Sequence, residues 1–330
     1  MSAPVTGATP PAARPAEKGM GASGEKRWTV LELLRWTTQH FASRGIESAR
    51  LDAECLLAHA LGSDRLRLYL DFEKPVEADE RARFRELVRR RAGERIPVAQ
   101  LVGRREFWSL ALAVTGDVLS PRPETETLVA TALALFPERE AELAILDVGT
   151  GSGAIALALA TERPQAHVLA TDASPAALAV ARANAEGLGL AARVRFAEGD
   201  LYAASGRERF DLVVSNPPYL ADAEAHGLAP ELAHEPRMAL FAGPAGTEVL
   251  RRLAEGARHA LRPGGAIVLE IAPVQAGAVA GFLAEAGLVE VATHLDLARR
   301  PRVVAARMPS ERVASDGVTS GGDAPTQEGV

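Results

Sequence analysis

Apolar runs of strand length recur along the second half of the chain, and segments of helical periodicity follow most of them. Strands joined through helices over such short turns predict a mostly parallel sheet with helices on both faces. The predicted strands are LAILDVG, HVLATD, RVRFAEG, FDLVVSN, AIVLEI, LVEVATHL and PRVVAAR. The predicted helices cover residues 154–161, 175–186, 247–261 and 274–286. The pattern therefore predicts an α/β, Rossmann-like fold built on a seven-stranded sheet.

Residues 28–95 carry helical periodicity instead. Thr29, with Glu32 three residues later, matches a capping box, and Gly45 is suited to end the helix that follows. A second helix is predicted over residues 48–62. Its candidate inward residues are Leu51, Cys55 and Ala58. This part of the chain is therefore predicted to form a small N-terminal helical domain.

A third helix is predicted over residues 78–92, where Phe84, Leu87 and Val88 form an apolar seam. Seven arginines fall within residues 81–95. Such a row of charges is typical of a solvated helix face. It also suits contact with an acidic or nucleic-acid partner, and the sequence leaves both interpretations open.

The composition is that of a globular protein, with 47% hydrophobic and 24% charged residues among 330. Residues 1–27 and 309–330 are rich in small residues and proline and are predicted to be disordered tails. No apolar run is long enough to span a membrane, and the first residues lack the apolar segment of a secretory signal. The single cysteine excludes a disulfide framework and a cysteine-built metal site. We expect a cytoplasmic protein without a bound metal.

Charge is distributed unevenly along the chain. The formal net charge is −6; residues 1–27 and 28–106 each contribute +2, so the rest carries −10. A domain that binds duplex DNA mainly through its phosphates is expected to be basic. The acidic balance therefore argues against a large DNA footprint.

The first predicted strand runs into the glycine-rich turn Gly149-Thr150-Gly151-Ser152-Gly153. Ligands of such sheets bind outside the carboxyl ends of the strands. Glycines there allow a tight turn and close approach of the backbone to a ligand, ahead of a helix N-terminus. The spacing is GxGxG and differs from the GxGxxG fingerprint of dinucleotide-binding folds. A turn needed only for packing is the alternative.

Acidic residues end the next two strands. Asp172 can accept hydrogen bonds from both hydroxyls of a ribose. Its alternative role is to cap the following helix, although Ser174 is better placed for that. Asp200 offers an acceptor for an exocyclic amine, and Leu201 an apolar wall for a base. These positions predict a nucleoside-containing ligand.

The fourth strand runs into Asn216-Pro217-Pro218-Tyr219. The two prolines fix φ and remove two backbone donors, which predicts a rigid loop with outward carbonyls. The Asn216 side-chain oxygen and the Pro217 carbonyl can each accept one N–H of a planar NH₂ group, while the Tyr219 ring covers its face. The loop therefore predicts a substrate that presents such a group.

These motifs together resemble class I S-adenosylmethionine-dependent N-methyltransferases. More specifically, they resemble the protein-(glutamine-N5) methyltransferases that modify peptide chain release factors. The resemblance covers about residues 30–307, and PRPETE at 121–126 is its most specific segment. Other segments that carry it are RIPVAQLVGRREFWSLAL, HEPRMAL, PGGAIVLEIAPVQ and RPRVV. Ser109 stands where the family usually has glycine.

The resemblance implies S-adenosyl-L-methionine as the cofactor. The turn at 149–153 would line its methionine part, Asp172 would hold its ribose, and Asp200 and Leu201 would lie in the adenine region. Asn216 would contact both the methyl donor and the substrate. The loop Asn216, Pro217, Pro218 and Tyr219 would grip the substrate glutamine, with Asn216, Pro217 and Tyr219 as the catalytic residues.

The resemblance also implies different roles for different parts of the chain. A helical domain at 28–100 would dock the protein substrate, and a β-hairpin within 101–118 would link it to a methyltransferase domain at 119–308. The substrate would be the glutamine of the Gly-Gly-Gln loop of release factors, modified in support of translation termination.

Other functions compete with this one. A ribosomal-protein glutamine methyltransferase is the nearest, and an N6-adenine nucleic-acid methyltransferase would also hold a planar NH₂ group, after base flipping. A scaffold that binds a partner without catalysis belongs to a different class, and the intact motifs argue against it. A nicotinamide dehydrogenase fits GxGxG and NPPY poorly.

Overall fold

The computed structural model describes residues 27–310. The predicted disordered tails lie outside the described residues, apart from the inner ends of both segments. The chain divides into two compact units, Met1–Val88 and Arg89–Val330. This division comes earlier than the domain boundary that the sequence predicts at residue 100.

The described part of the first unit is helical. Thr29 accepts a hydrogen bond from the backbone of Glu32 while the Glu32 carboxylate accepts one from the backbone of Thr29, so the predicted capping box is confirmed. The helices of this region are α1 (Val30–Ser43), α2 (Ala49–Ala60), α3 (Arg65–Leu70) and α4 (Ala78–Arg89).

The buried face of α2 differs from the predicted one. Leu56 and Leu57 are fully buried, whereas Leu51 is 43% exposed and its predicted inward position is wrong. Leu51 precedes the buried Ala53 by two residues, or about 200° around the helix, and so lies on the opposite face. Cys55 is half-buried.

A two-stranded hairpin opens the larger unit after helix α5 (Val98–Val102). Strands β1 (Arg104–Phe107) and β2 (Leu110–Ala113) pair antiparallel, with Phe107 opposite Leu110. The turn between them is therefore Trp108–Ser109, and both residues have positive φ, 51° and 58°. Such turns favour glycine because it lacks the Cβ that crowds the left-handed conformation.

The predicted seven-stranded, mostly parallel sheet is confirmed. Its order is β10-β11-β9-β6-β3-β4-β5, in which β9–β11 and β11–β10 pair antiparallel and the other neighbours pair parallel. The strands are β3 (Ala144–Val148), β4 (His167–Asp172), β5 (Val194–Glu198), β6 (Phe210–Ser215), β9 (Leu261–Glu270), β10 (Val289–Leu295) and β11 (Pro301–Arg307). A further short pair consists of β7 (Leu220–Ala221) and β8 (Phe241–Gly243).

Helices cover both faces of the large sheet. The helices on one face are α6 (Glu126–Leu135), α7 (Ala154–Glu162) and α8 (Pro175–Gly187); those on the other are α9 (Glu248–Ala260) and α10 (Ala276–Glu285). Strand residues alternate between the two cores: Leu212 and Val214 face the first, and Val213 the second. Burying one such side chain contributes about 1.5–3 kcal/mol.

Helix α6 and the short strands β7 and β8 are elements that the apolar pattern does not predict. Helix α6 begins at Glu126, the last residue of the PRPETE segment, and its Leu128 and Val129 are fully buried in the core. The helix therefore holds that segment against the sheet. None of the described helices has both the length and the apolar character needed to cross a membrane.

Candidate active site

A cavity of about 290 Å³ opens at the carboxyl ends of β3, β4, β5 and β6. The chain order reverses between β3 and β6, and crevices at such a switch point are the usual ligand sites of open α/β sheets. The residues lining it that the sequence predicts for the site are Gly149, Thr150, Gly151, Ser152, Asp172, Asp200, Leu201, Asn216 and Pro218. Gly153, Pro217 and Tyr219 are not in its lining.

The glycine-rich turn is held by β4. The backbone N–H groups of Gly149 and Thr150 both donate to the Thr171 carbonyl, at 2.8 and 2.9 Å. Gly153 lies behind the turn, where its Cα faces Leu157 and Ala181. The turn thus presents its backbone to the cavity on one side and packs tightly against two helices on the other.

Asp147 supports this turn from below. Its carboxylate accepts hydrogen bonds from the Thr150 hydroxyl at 2.7 Å and from the backbone N–H of Ala156 at 3.2 Å. Complete burial raises the pKa of Asp147 to about 7, although both hydrogen bonds lower it and the charge of Asp172 raises it further. Its Oδ1 atom has no hydrogen-bond partner among the described residues.

Asp172 lies between the turn and helix α8. Its Oδ2 accepts from the backbone N–H of Gly151 and its Oδ1 from that of Ser174, both at 2.9 Å. Ser174 itself caps α8 by accepting from Ala177, in agreement with the sequence expectation. Since each carboxylate oxygen can accept a second hydrogen bond, Asp172 retains capacity for hydroxyl donors in the cavity.

The opposite rim contains Asp200 and Leu201. Asp200 forms an exposed ion pair with Arg252 at 2.6 Å, so one of its oxygens already has a cationic partner. Leu201 has a φ of 49° and packs partly buried against the core on the α9 side. The strained backbone at Leu201 directs the chain around this rim.

The loop after β6 is tied directly to the end of β3. The Ser215 hydroxyl donates to the Val148 carbonyl at 2.7 Å, which places Asn216 beside the glycine-rich turn. Asn216 donates from Nδ2 to the Thr125 hydroxyl at 3.2 Å. The Asn216 Oδ1 atom is buried and has no partner within residues 27–310. Asn216 thus lines the cavity and carries a buried acceptor with unused capacity.

Tyr219 anchors the far end of the same loop. Gln275, which is buried, donates from Nε2 to the Tyr219 carbonyl and to the Gly246 carbonyl, both at 2.9 Å. The Tyr219 ring packs against the apolar core, and burial raises its pKa, with the nearby charge of Glu270 adding to the effect. Pro217 is buried as well.

The PRPETE segment forms another part of the wall. Arg122, which lines the cavity, pairs with the buried Glu235 at 2.5 Å, and Glu235 also accepts from the backbone of Ser120. Glu126 accepts instead from the backbone N–H of Trp108 at 3.0 Å and so supports the hairpin turn. Arg122 and Glu126 thus have separate roles within one short motif.

Thr125, Glu270 and Gln275 are the contributors that sequence reasoning missed. Two of them carry a signal in the sequence: Thr125 lies inside PRPETE, and Glu270 is an acid near the end of the apolar run AIVLEI. Burial raises the pKa of Glu270 to about 7, while the nearby Thr125 hydroxyl and the charge of Arg302 lower it.

Comparison with known proteins assigns the chain to a protein family. Residues 32–103 match the PrmC N-terminal domain, and residues 127–244 match the methyltransferase small domain. A release factor glutamine methyltransferase of Rhodopirellula baltica is 45% identical over 289 residues, which cover 86% of this chain and 97% of that protein. The chain belongs to the release factor glutamine methyltransferase family. The family expected from the sequence motifs is therefore confirmed.

Further relatives agree with membership in this family. The release factor glutamine methyltransferase of Xylella fastidiosa strain Temecula1 is 51% identical over 260 residues, which cover 79% of this chain and 94% of that protein. The solved catalytic domain of hMettl16, bound to the MAT2A 3'UTR hairpin 6, shares the fold at 15% identity. That structure has a TM-score of 0.51, and the match covers 64% of this chain and 81% of that one.

The class I methyltransferase fold and the family imply the use of S-adenosylmethionine, and the residues of the cavity fit it. Asp172 offers acceptors for ribose hydroxyls, and the turn around Gly151 presents backbone in place of side chains. The carboxyl ends of the strands supply the crevice in which such folds bind nucleosides.

Proposed function

We propose that this chain transfers a methyl group from S-adenosyl-L-methionine to the side-chain amide nitrogen of the glutamine in the Gly-Gly-Gln loop of peptide chain release factors. One observation carries the proposal: Asn216 lines the cavity beside the glycine-rich turn, and its buried Oδ1 has no hydrogen-bond partner among the described residues. A buried acceptor left unpaired costs about 1–3 kcal/mol, so such an atom is expected to serve a ligand donor.

An amide nitrogen is a weak nucleophile because its lone pair is delocalised into the carbonyl. In the proposed mechanism the Asn216 Oδ1 and the Pro217 carbonyl accept the two N–H groups of the substrate glutamine. These hydrogen bonds pyramidalise the nitrogen and localise the lone pair. The loop would then position the nitrogen for attack on the methyl group that the cofactor would supply.

S-Adenosylmethionine, when bound, supplies an electrophilic methyl group on a sulfonium. The protein contributes position more than basicity, since Asn216 is neutral and Pro217 offers only a carbonyl. The glutamine nitrogen gains the methyl group and loses one proton, which leaves after transfer by way of a carbonyl or water. Asp172, Asp200 and Leu201 would hold the nucleoside part, and the turn at 149–153 the methionine part.

The first unit supports a docking role for the predicted helical domain at 28–100. Several large apolar side chains are exposed in this unit, among them Leu66 (71%), Leu70 (76%) and Trp36 (50%). Contiguous exposed apolar patches are typical of surfaces that bind another protein, and these side chains are candidates for such a patch. The hairpin within 101–118 would link this unit to the methyltransferase domain at 119–308.

Mass spectrometry tests the proposed reaction directly. A purified release factor incubated with this protein and S-adenosylmethionine should gain roughly 14 Da on the Gly-Gly-Gln glutamine, one methyl for one hydrogen. Asn216→Ala should lower turnover at least about 100-fold, with the Kd for S-adenosylmethionine within about threefold of wild type. Near-wild-type turnover of that variant would refute the mechanism.

The same experiment separates the competing substrates. An unmodified release factor, with cofactor binding intact in calorimetry, would overturn the proposed substrate. Ribosomal proteins and nucleic acid would then be assayed with the same enzyme preparation.

A further inference from the structure

Of the residues that the structure describes, two arginines line the cavity, and they lie on different sides of it. Arg252 pairs with Asp200 just after β5, which β3 and β4 separate from β6. Arg122 lies on the β6 side. Its backbone carbonyl accepts from the N–H of Thr125 at 3.1 Å, and the Thr125 hydroxyl accepts from Asn216. Arg122 is therefore the cation beside the glycine-rich turn, where the methionine part of the cofactor is proposed to bind.

The acidic partner of Arg122 is buried behind the cavity wall. Arg122 Nη2 donates to Oε2 of Glu235 at 2.5 Å. The Glu235 side chain is 1% exposed and is not in the cavity lining, whereas the Arg122 side chain is 36% exposed and is part of that lining. The ion pair thus connects a carboxylate in the protein interior with a cationic residue that borders the cavity.

Arg122 retains capacity for a ligand. A guanidinium has five N–H donors in a planar fork, and within residues 27–310 only Nη2 of Arg122 donates to a protein group. Such a fork matches the two oxygens of a carboxylate, which makes arginine the side chain best suited to bind one. The methionine part of S-adenosylmethionine ends in a carboxylate. The ligand group and the residue therefore match in charge and in shape.

We propose that Arg122 binds the α-carboxylate of the methionine part of S-adenosylmethionine and that Glu235 is a positioning residue for Arg122. The inference rests on the cofactor of the proposed function and is independent of its protein substrate. It adds one binding residue and one positioning residue to the cavity.

Glu235 holds the segment of Arg122 at two points. Its second oxygen, Oε1, accepts from the backbone N–H of Ser120 at 3.2 Å, two residues before Arg122. One carboxylate thus binds both the backbone and the side chain of the same short segment. A long arginine side chain has many rotamers, and a ligand that must order it loses affinity. Arg122 is ordered by Glu235 before a ligand arrives, so this loss is avoided.

Calorimetric titration of the full-length protein with two ligands tests the role of Arg122. S-Adenosylhomocysteine carries the amino-acid carboxylate, whereas 5′-methylthioadenosine has the same nucleoside and sulfur without it. Arg122→Met removes the charge at similar length. It should weaken S-adenosylhomocysteine binding about tenfold or more and leave the Kd for 5′-methylthioadenosine within about threefold of wild type. Unchanged binding of S-adenosylhomocysteine, or equal losses for both ligands, would overturn the proposed carboxylate contact.

Glu235→Gln tests the positioning role. The amide keeps an oxygen for the Ser120 N–H but has no charge to hold Arg122, so S-adenosylhomocysteine binding should weaken about fivefold. Combined with Arg122→Met, it should cause no further loss, because Glu235 acts through Arg122. Tighter binding by Glu235→Gln would show that the carboxylate competes with the ligand for Arg122. An additional loss in the double variant would show that Glu235 acts independently, and either result would overturn its positioning role.

Glu231→Gln is the matched control. Glu231 lies in the same loop and pairs with Arg91 and Arg95 at 2.8 and 2.7 Å, but none of the three is in the cavity lining. The variant should bind both ligands within about threefold of wild type. A selective loss of S-adenosylhomocysteine binding here would show that breaking any ion pair of this loop has the same effect, and would overturn the specific role of Glu235.

Binding of 5′-methylthioadenosine by each variant reports that the nucleoside side of the cavity is folded. A wild-type protein that binds S-adenosylhomocysteine but leaves release factors unmodified would overturn the proposed substrate and leave this inference standing. A wild-type protein that binds neither ligand would overturn the cofactor assignment, and this inference with it.

Discussion

Asp172 accepts a hydrogen bond at 2.9 Å from the backbone N–H of Gly151, so the carboxylate at the end of β4 fixes the middle of the glycine-rich turn at the end of β3. The two motifs that point to a nucleoside ligand are thus one structural unit. Asp172 aligns the turn and, in the proposed function, holds the ribose.

Asp172→Asn is expected to weaken S-adenosylmethionine binding about 10- to 100-fold. The amide keeps only one acceptor oxygen, so it cannot serve Gly151, Ser174 and a ligand hydroxyl together, and each tenfold loss corresponds to about 1.4 kcal/mol. Titration calorimetry measures the change. Glu208→Gln, which alters an exposed ion pair with Arg195, is the control and should bind as wild type does. Equal binding by the Asp172 variant would contradict its role.

Gly151 and Gly153 should respond differently to alanine. Both have positive φ, 55° and 84°, and an added Cβ costs about 1–2 kcal/mol in that conformation. At Gly153 the new atom would also lie 3.1 Å from Leu157 and 3.3 Å from Ala181, whereas at Gly151 it meets nothing within 4 Å. Urea unfolding should therefore show a larger loss for Gly153→Ala. Equal losses of stability would show that Leu157 and Ala181 move away from the added Cβ at little cost.

The sequence predicts the central strands of the sheet well because they are buried on both faces. Ile145 and Leu146 enter opposite cores, so the strand is apolar throughout and easy to recognise. Leu51 was placed wrongly because α2 is rich in alanine and leucine, and its apolar residues do not define one face. Local periodicity does not identify the buried face of such a helix, because tertiary packing selects that face.

The sequence predicts those residues of the candidate site that lie within short, continuous motifs. Gly149 and Asn216 lie within recognisable turns, and the sheet topology brings those turns together. Thr125 and Asn216 are 91 positions apart in the chain, and only the folded structure joins them by a hydrogen bond. Contacts that depend on chain order in the sheet cannot be read from local spacing.

Ser109→Gly is expected to stabilise the protein by about 0.5–1 kcal/mol. Ser109 has a φ of 58° in the two-residue hairpin turn, where glycine avoids the steric cost of a Cβ, and the greater freedom of glycine in the unfolded chain offsets part of that gain. Urea unfolding measures the difference. The matched change Ser43→Gly, at the last residue of α1, should give no gain because Ser43 does not have a positive φ and glycine only adds freedom to the unfolded chain. An unaltered or lower stability of the Ser109 variant would show that the turn is unstrained.

Asp147→Asn should raise stability by an amount that grows with pH. The folded pKa of Asp147, about 7, lies above its ordinary value of 3.8, so the folded protein holds this proton more tightly than the unfolded chain does. The associated stability is fully present below about pH 4 and is lost as pH rises towards 7. The variant does not titrate at this position.

The gain of Asp147→Asn over wild type should therefore widen between pH 5 and pH 7, approach roughly 4 kcal/mol at most, and level off above pH 7. Urea unfolding of both proteins across this range measures the difference. The comparison with the variant isolates Asp147 from Glu270, whose pKa is also raised to about 7 and which titrates in both proteins. A stability difference between the two proteins that stays constant from pH 5 to pH 8 would contradict this prediction. It would mean that water or backbone movement solvates the Asp147 carboxylate, so that ionising it does not destabilise the folded protein.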